Sequence, residues 1–235
     1  MPPTPQPIVP TNVHVIEQND FIRRVYGWMS GGLFVTAFVS LFTVSSQAVL
    51  DLVVGNQIVF FVLIIAELGA VIYLSRFVQK MSSTTAGVVF MLYSVLNGLT
   101  LSVIFLVYTS ASITSVFVVT AGMFAIISAY GYVTKKDLTS IGHLAFMALI
   151  GLILATVVNL FIQNDQFGLV ISYIGVIIFV GLTAYDTQKI KNMNSTMVMG
   201  SEMEKKASII GALTLYLDFI NLFLDLLRIM GGRRK

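Results

Sequence analysis

Four acidic side chains lie within long apolar segments or at their ends, where a charge is expensive. They are Glu67, Asp186, Asp218 and Asp225. A charged residue at the centre of a bilayer costs at least about 2.5 kcal/mol on insertion scales, so such residues usually face a bundle interior or a water-filled cavity. We expect these carboxyl groups to carry the chemistry of the chain, by binding protons or cations.

A polar stripe runs along the last apolar segment. Asp218, Asn221 and Asp225 follow the spacing i, i+3, i+7, which places them on one face of a helix. This face must meet protein or water, so we expect the last helix to be central in an all-α bundle. The alternative is a structural polar seam satisfied by neighbouring helices.

Asp186 ends the preceding apolar segment, and a loop of about 20 residues leads to the last one. The two helices are therefore expected to be neighbours. If Asp186 meets Asp218, the two cannot both ionise cheaply in a low dielectric, and the pair would share a proton. Alternatively, Asp186 is solvated at the interface or caps the loop.

Paired carboxylates with nearby neutral oxygens also suit Ca²⁺, a hard cation with oxygen ligands. The chain has no EF-hand loop, so a metal at Asp186 and Asp218 would be transient, as in a pore. Glu67 has three interpretations: it continues the acidic pathway, pairs with Arg76, or is a buried, hydrogen-bonded glutamate.

The composition predicts the elements that position these residues. Of 235 residues, 57% are hydrophobic and 11% are charged, whereas soluble domains are usually about 25% charged. A bilayer core takes roughly 20 apolar residues per helix. We predict a tail over residues 1–22, disordered, and a seven-helix membrane domain over residues 23–235. The predicted spans are Val25–Phe42, Ile58–Leu74, Ala86–Tyr108, Ile113–Val133, Leu144–Ile162, Leu169–Tyr185 and Ile209–Met230.

Loop charges predict the orientation. Every basic loop residue before the last span falls on one side, while Asp51 and Asp165 are the only charges in the opposite loops. The positive-inside rule then predicts a cytoplasmic N-terminus. Arg233, Arg234 and Lys235 break the rule, so either this tail is too short to matter or the last segment does not fully cross.

The absence of certain residue types and motifs excludes several membrane functions and indicates a protein that is not an enzyme. The chain has no Cys, and its two His residues lie outside the predicted span centres. The metalloprotease motif and the ATP-binding P-loop are absent, and no cofactor is expected. The basic residues are scattered, which argues against nucleic acid. Ion or proton conduction, secondary transport and regulation of a membrane partner remain.

Five stretches of sequence resemble the Bax inhibitor-1, or transmembrane BAX inhibitor motif, family, most closely its bacterial branch. The stretches are Val-Tyr-Gly-Trp-Met at 25–29, Tyr-Ser-Val-Leu-Asn-Gly-Leu-Thr-Leu-Ser at 93–102, Tyr-Gly-Tyr-Val-Thr-Lys-Lys-Asp-Leu at 130–138, Tyr-Asp-Thr-Gln-Lys-Ile-Lys at 185–191 and Leu-Tyr-Leu-Asp-Phe-Ile-Asn-Leu-Phe at 215–223. The resemblance implies a seven-helix bundle with the seventh helix central, in a bacterial inner membrane.

The resemblance also implies a pH-sensitive calcium leak. Asp186 and Asp218 match the family's pH-sensing aspartate pair, and Arg76 is the candidate for an arginine that latches the pore on the sixth-helix aspartate. Glu67 and Asp225 would be acidic residues that line the pore, the route of the ion through the bundle. Two other functions stay open: a non-conducting regulator of a membrane protease or another membrane partner, and a proton-coupled cation exchanger.

Overall fold

The computed structural model describes residues 11–193 and 200–234, with side chains from residue 19 onward. The chain is all-α. Its helices are α1 (Thr11–Ser45), α2 (Gln47–Val53), α3 (Gln57–Phe77), α4 (Ser83–Leu101), α5 (Ile104–Val107), α6 (Ser110–Val133), α7 (Thr139–Ile162), α8 (Asp165–Met193) and α9 (Glu202–Met230). A turn of 3-10 helix, Val78–Lys80, follows α3.

Among the residues that the structure describes, seven helical segments are long and apolar enough to cross a membrane. They lie in α1, α3, α4 with α5, α6, α7, α8 and α9. Each has at least 24 residues, enough for the roughly 20 that a bilayer core requires. The predicted membrane protein of seven apolar helices is therefore confirmed.

Short polar side chains set the beginnings of several helices. The side chains of Ser82, Thr109 and Ser201 accept hydrogen bonds from backbone N–H groups in the first turns of α4, α6 and α9. Each bond satisfies a backbone donor that has no partner within the helix. The apolar runs of the sequence are therefore divided into separate helices at these positions.

The last span is the most deeply packed. In its most apolar window 72% of residues are buried, against 6% in the windows of α3 and α7. α9 packs against α1, α4, α6 and α8. This packing is consistent with a central seventh helix, whose position relative to a pore stays a prediction.

The end of α9 lies at the end of the bundle opposite the basic loops. The backbone N–H of Thr109 donates to the carbonyl of Gly232 at 3.1 Å, and Arg233 Nη1 lies 3.6 Å from Asp165 Oδ2. Thr109 and Asp165 stand at the junctions opposite the basic loops. α9 therefore runs the whole length of the bundle, and the aspartate partly offsets the charge of the basic tail.

The first helix begins at Thr11, inside the predicted tail, and residues 1–10 of that tail lie outside the described residues. The membrane-spanning part of α1 begins at Asn19. Arg23 Nη1 lies 4.0 Å from Asp20 Oδ1, one turn earlier, a spacing that suits an exposed helical turn. The helix therefore extends beyond its apolar part.

Candidate functional site

Glycines bring α8 and α9 into close contact. A Cβ atom at Gly175 of α8 would overlap the Asp225 carboxyl group, and one at Gly168 would overlap the Arg228 guanidinium group. Near the other end, Gly211 of α9 lies against Ile190 of α8. These contacts fix an antiparallel register, in which Asp218 lies about one helical turn from Asp186 along the interface.

The two aspartates predicted to meet are neighbours in the structure. Asp218 has 5% of its surface exposed, and it interacts electrostatically with Asp186, which is partly exposed. Within the described residues, Asp218 Oδ2 has no hydrogen-bond partner. A buried carboxylate oxygen without a partner is costly, because nothing replaces the water that it loses. This oxygen is available to a proton or a cation.

Two buried hydroxyls, one on α8 and one on α6, were not identified from the sequence. Thr187 Oγ1 and Ser128 Oγ lie in side chains that are at most 5% exposed, and neither has a hydrogen-bond partner among the described residues. Ser128 lies one turn beyond Phe124, whose ring is 5.5 Å from that of Phe219, next to Asp218. Thr187 could have been found from the sequence, because it follows Asp186 directly. Nothing in the sequence of α6 distinguishes Ser128 from the other polar residues of that helix.

Asp225 occupies a second polar region, toward the end of α9. Its carboxylate accepts a hydrogen bond from Ser172 and lies near the charge of Arg228. The Asn221 side chain donates to the Leu217 carbonyl of its own helix at 2.8 Å. Ser172, Asn221, Asp225 and Arg228 are among the residues that line a cavity of about 410 Å³ between α7, α8 and α9. The polar stripe of α9 therefore meets α8 and this cavity.

Glu67 is a half-buried, hydrogen-bonded glutamate. Its Oε1 accepts from Thr100 Oγ1 at 2.6 Å, and its Oε2 accepts from Asn97 Nδ2 at 3.4 Å. Both donors lie on α4, so the carboxyl group joins the outer helix α3 to its neighbour. Of the three interpretations from the sequence, these contacts agree with that of a buried, hydrogen-bonded glutamate. Whether Glu67 also lines a route stays a prediction.

Arg76 lies in the last turn of α3 with its side chain exposed. Among the ion pairs of the described residues, none joins Arg76 to Asp186 or to Glu67. α3 packs mainly against α4, whereas Asp186 lies on α8. A latch between Arg76 and Asp186 would therefore require a conformation other than this one.

A different arginine holds the basic end of the bundle together. Arg24 Nη1 lies 2.8 Å from Glu204 Oε2, which joins α1 to α9, and Glu204 is fully buried. The N–H of Gly200 also donates to Glu204 Oε2 at 3.3 Å. The sequence carries one local signal, because Ser201 and Glu204 have the spacing of a capping box. Nothing in that spacing indicates Arg24.

Groups of three or more His, Cys, Asp or Glu that could hold a metal do not occur in the described part of the chain. A Ca²⁺ ion at Asp186 and Asp218 would therefore have two carboxylates and neutral oxygens as ligands. Such a site suits an ion that passes rather than one that stays, because tight calcium sites use six to eight oxygens.

Comparison with known proteins identifies the family. Residues 18–235, which include every site residue above, match the family described as inhibitor of apoptosis-promoting Bax1. The chain belongs to this family. The Bax inhibitor-1 resemblance inferred from the motifs is thus confirmed, and the match extends over all seven spans.

Bacterial members of the family are similar along almost the whole chain. The inner membrane protein YbhL of Escherichia coli (strain K12) is 55% identical over 215 residues, which cover 91% of this chain and 92% of YbhL. An uncharacterized protein of Borreliella burgdorferi is 42% identical, with 94% and 95% covered. One of Deinococcus radiodurans is 41% identical, with 97% of each chain covered.

Proposed function

We propose that this Bax inhibitor-1 family protein is a pH-sensitive calcium leak channel, gated by Asp186 and Asp218. The observation that carries the proposal is the buried Asp218 oxygen without a partner, beside a second carboxyl group. Two such groups in a low dielectric bind one proton between them more easily than they carry two charges. Proton occupancy would therefore set the charge at the α8–α9 interface.

The proposed gate works through the contact between α8 and α9. With the shared proton bound, the pair carries one charge and the helices pack closely. When that proton leaves, two charges repel each other and attract a divalent cation. A passing Ca²⁺ would be coordinated transiently by the two carboxylates, with the Thr187 hydroxyl, next to Asp186 on α8, as an additional oxygen donor.

Glu67 and Asp225 are proposed as acidic residues of the route. Asp225 supports this role through its place beside the cavity of about 410 Å³, toward the end of α9 opposite the basic loops. We place the protein in the bacterial inner membrane, as the name of the E. coli relative says of that protein. The distribution of basic loop residues supports a cytoplasmic N-terminus.

Calcium flux into proteoliposomes of the pure protein tests this function. We expect Ca²⁺ entry that depends on pH and needs no proton gradient. Absence of flux from correctly inserted protein would contradict the channel and favour the non-conducting regulator. Flux that runs only with a proton counterflux would instead identify an exchanger.

Arg76 remains the proposed latch, and its test is specific. Arg76→Ala should raise the basal leak roughly 5- to 150-fold, which corresponds to a latch of about 1–3 kcal/mol. Arg76→Lys should raise it partly, because lysine cannot form a bidentate pair with a carboxylate. Lys80→Ala removes a nearby exposed charge and serves as the control. A parental leak in both Arg76 variants, with insertion confirmed, would remove the latch.

A further inference from the structure

A chain of hydrogen bonds begins at Glu67 and enters the bundle. The Glu67 carboxyl group contacts Thr100 Oγ1 at 2.6 Å and Asn97 Nδ2 at 3.4 Å. The amide oxygen of Asn97, Oδ1, lies 3.1 Å from Tyr216 Oη of α9. Asn97 is 8% exposed and Tyr216 is fully buried. This series of hydrogen bonds therefore leads from an outer helix to α9 through groups that are largely shielded from water.

The series of hydrogen bonds continues from α9 to α1. Tyr216 Oη lies 2.6 Å from Thr36 Oγ1, and Thr36 Oγ1 lies 3.0 Å from the Ser94 carbonyl oxygen of α4. Thr36 is 4% exposed. Four helices thus meet along one row of polar atoms, and its ends are a carboxyl group and a backbone carbonyl.

Counting hydrogens along this row exposes a deficit. With Glu67 ionised, only four hydrogens are available to the five contacts of this row, one each from Thr100, the Asn97 amide, Tyr216 and Thr36. The Thr100 hydrogen is also shared with the Asn97 carbonyl of its own helix, 3.1 Å from Thr100 Oγ1. A tyrosine or threonine hydroxyl has a single hydrogen, and an ionised carboxylate has none. The Ser94 hydroxyl, which also lies beside Tyr216, donates to the Phe90 carbonyl at 3.0 Å. One of the five contacts therefore has no hydrogen when Glu67 is charged.

One proton on Glu67 removes the deficit. The nitrogen and oxygen of an amide have nearly the same shape, so the Asn97 side chain can turn over in place. Glu67 then donates to Asn97 Oδ1, and Asn97 Nδ2 donates to Tyr216. Tyr216 donates to Thr36, and Thr36 donates to the Ser94 carbonyl. All five contacts now contain a hydrogen, and the Tyr216 hydroxyl has changed its acceptor from Asn97 to Thr36.

We propose that Glu67 is a second proton-binding site, and that Asn97 relays its proton occupancy to Tyr216 and Thr36 at the contact of α9 with α1. Tyr216 lies two residues before Asp218, but the relay does not depend on calcium conduction. Among the described residues, Tyr93 and Tyr216 are ionisable groups that interact electrostatically with Glu67. On the helices nearest in sequence, Arg76 and Asp51 are both exposed, and Asp51 accepts from Gln47.

Infrared difference spectroscopy of the full chain in lipid tests the relay without any flux measurement. The carboxyl C=O band of a protonated Glu67 and the C–O band of Tyr216, which reports its hydrogen bond, are followed between about pH 4 and 9. We expect both bands to change with the same midpoint. Glu67→Gln should remove both changes, and Tyr216→Phe should remove the tyrosine change.

Two further variants separate a relay from coincidence. Asn97→Leu should keep the Glu67 band but lose the response of Tyr216, while Tyr93→Phe should keep both. A Tyr216 response that survives Glu67→Gln or Asn97→Leu would overturn the proposal. So would a parental spectrum in which Tyr216 does not respond to pH, a result that requires no variant to fold.

Discussion

At the scale of single residues, the ion pair between Arg24 and Glu204 makes a strong prediction about stability. Arg24→Ala would leave a fully buried carboxylate without its cation, and removing one member of a buried pair costs about 3–5 kcal/mol. We expect a loss near the lower limit, because the Arg24 side chain is 41% exposed. Unfolding by SDS in mixed micelles measures the change.

Arg23 provides the matched control for this change. It is the neighbouring arginine, its side chain is 84% exposed, and its weak contact with Asp20 is worth little in water. Arg23→Ala should change the unfolding free energy by less than about 1 kcal/mol. Equal losses in the two variants would mean that charge number, rather than the pair with Glu204, stabilises this end.

Gly175 tests how tightly α8 must approach α9. Gly175→Ala would place a methyl group where the Asp225 carboxyl group lies. Overpacking of this kind costs about 1–3 kcal/mol, more than alanine gains as a helix former. We expect a lower unfolding temperature in detergent. Gly151→Ala, at a helical glycine with nothing within 4 Å of its added Cβ atom, should be neutral or stabilising.

At the scale of helices, apolar runs predicted the elements well and their contacts poorly. The number and type of spans follow from long apolar runs that polar residues such as Ser82 and Thr109 interrupt. The stripe of Asp218, Asn221 and Asp225 gave the face of α9 that meets α8. In both cases the signal lies within one helix, where a periodicity of 3.6 residues can be read directly.

Contacts between helices distant in sequence could not be predicted in this way. Thr100 and Asn97 bond to Glu67 across 33 and 30 residues, and Arg24 bonds to Glu204 across 180. Each donor looks ordinary in its own segment, because hydroxyls and amides are common in membrane helices. Their roles depend on which helix packs against which, and the residue pattern within one segment does not show that.

At the scale of the whole molecule, the orientation in the membrane is open to a direct test. The chain has no Cys, so single cysteines can be introduced without background. Lys135 and Arg234 are both exposed and lie at opposite ends of the bundle. We expect an impermeant thiol reagent, added outside intact cells, to label Arg234→Cys but not Lys135→Cys. Labelling of Lys135→Cys alone would invert the proposed topology.

A control for pH measurements comes from the loop between α6 and α7. The side-chain hydroxyl and the backbone N–H of Thr139 both donate to the Asp137 carboxylate. These hydrogen bonds, chiefly the one from the side chain, lower the pKa of Asp137. Because the lowered pKa keeps this carboxyl group ionised through the neutral range, its protonation state does not change there. Asp137→Asn should therefore leave the pH dependence of flux near neutrality unchanged.

The most direct test of the proposed gate is the pH profile of calcium flux in proteoliposomes. Asp186→Asn and Asp218→Asn each remove one ionisable group and keep its shape. Each should flatten the profile or move its midpoint by about one pH unit or more, and the double variant should add little. Asp137→Asn should match the parent. Parental profiles in both single variants would contradict a gate formed by the aspartate pair.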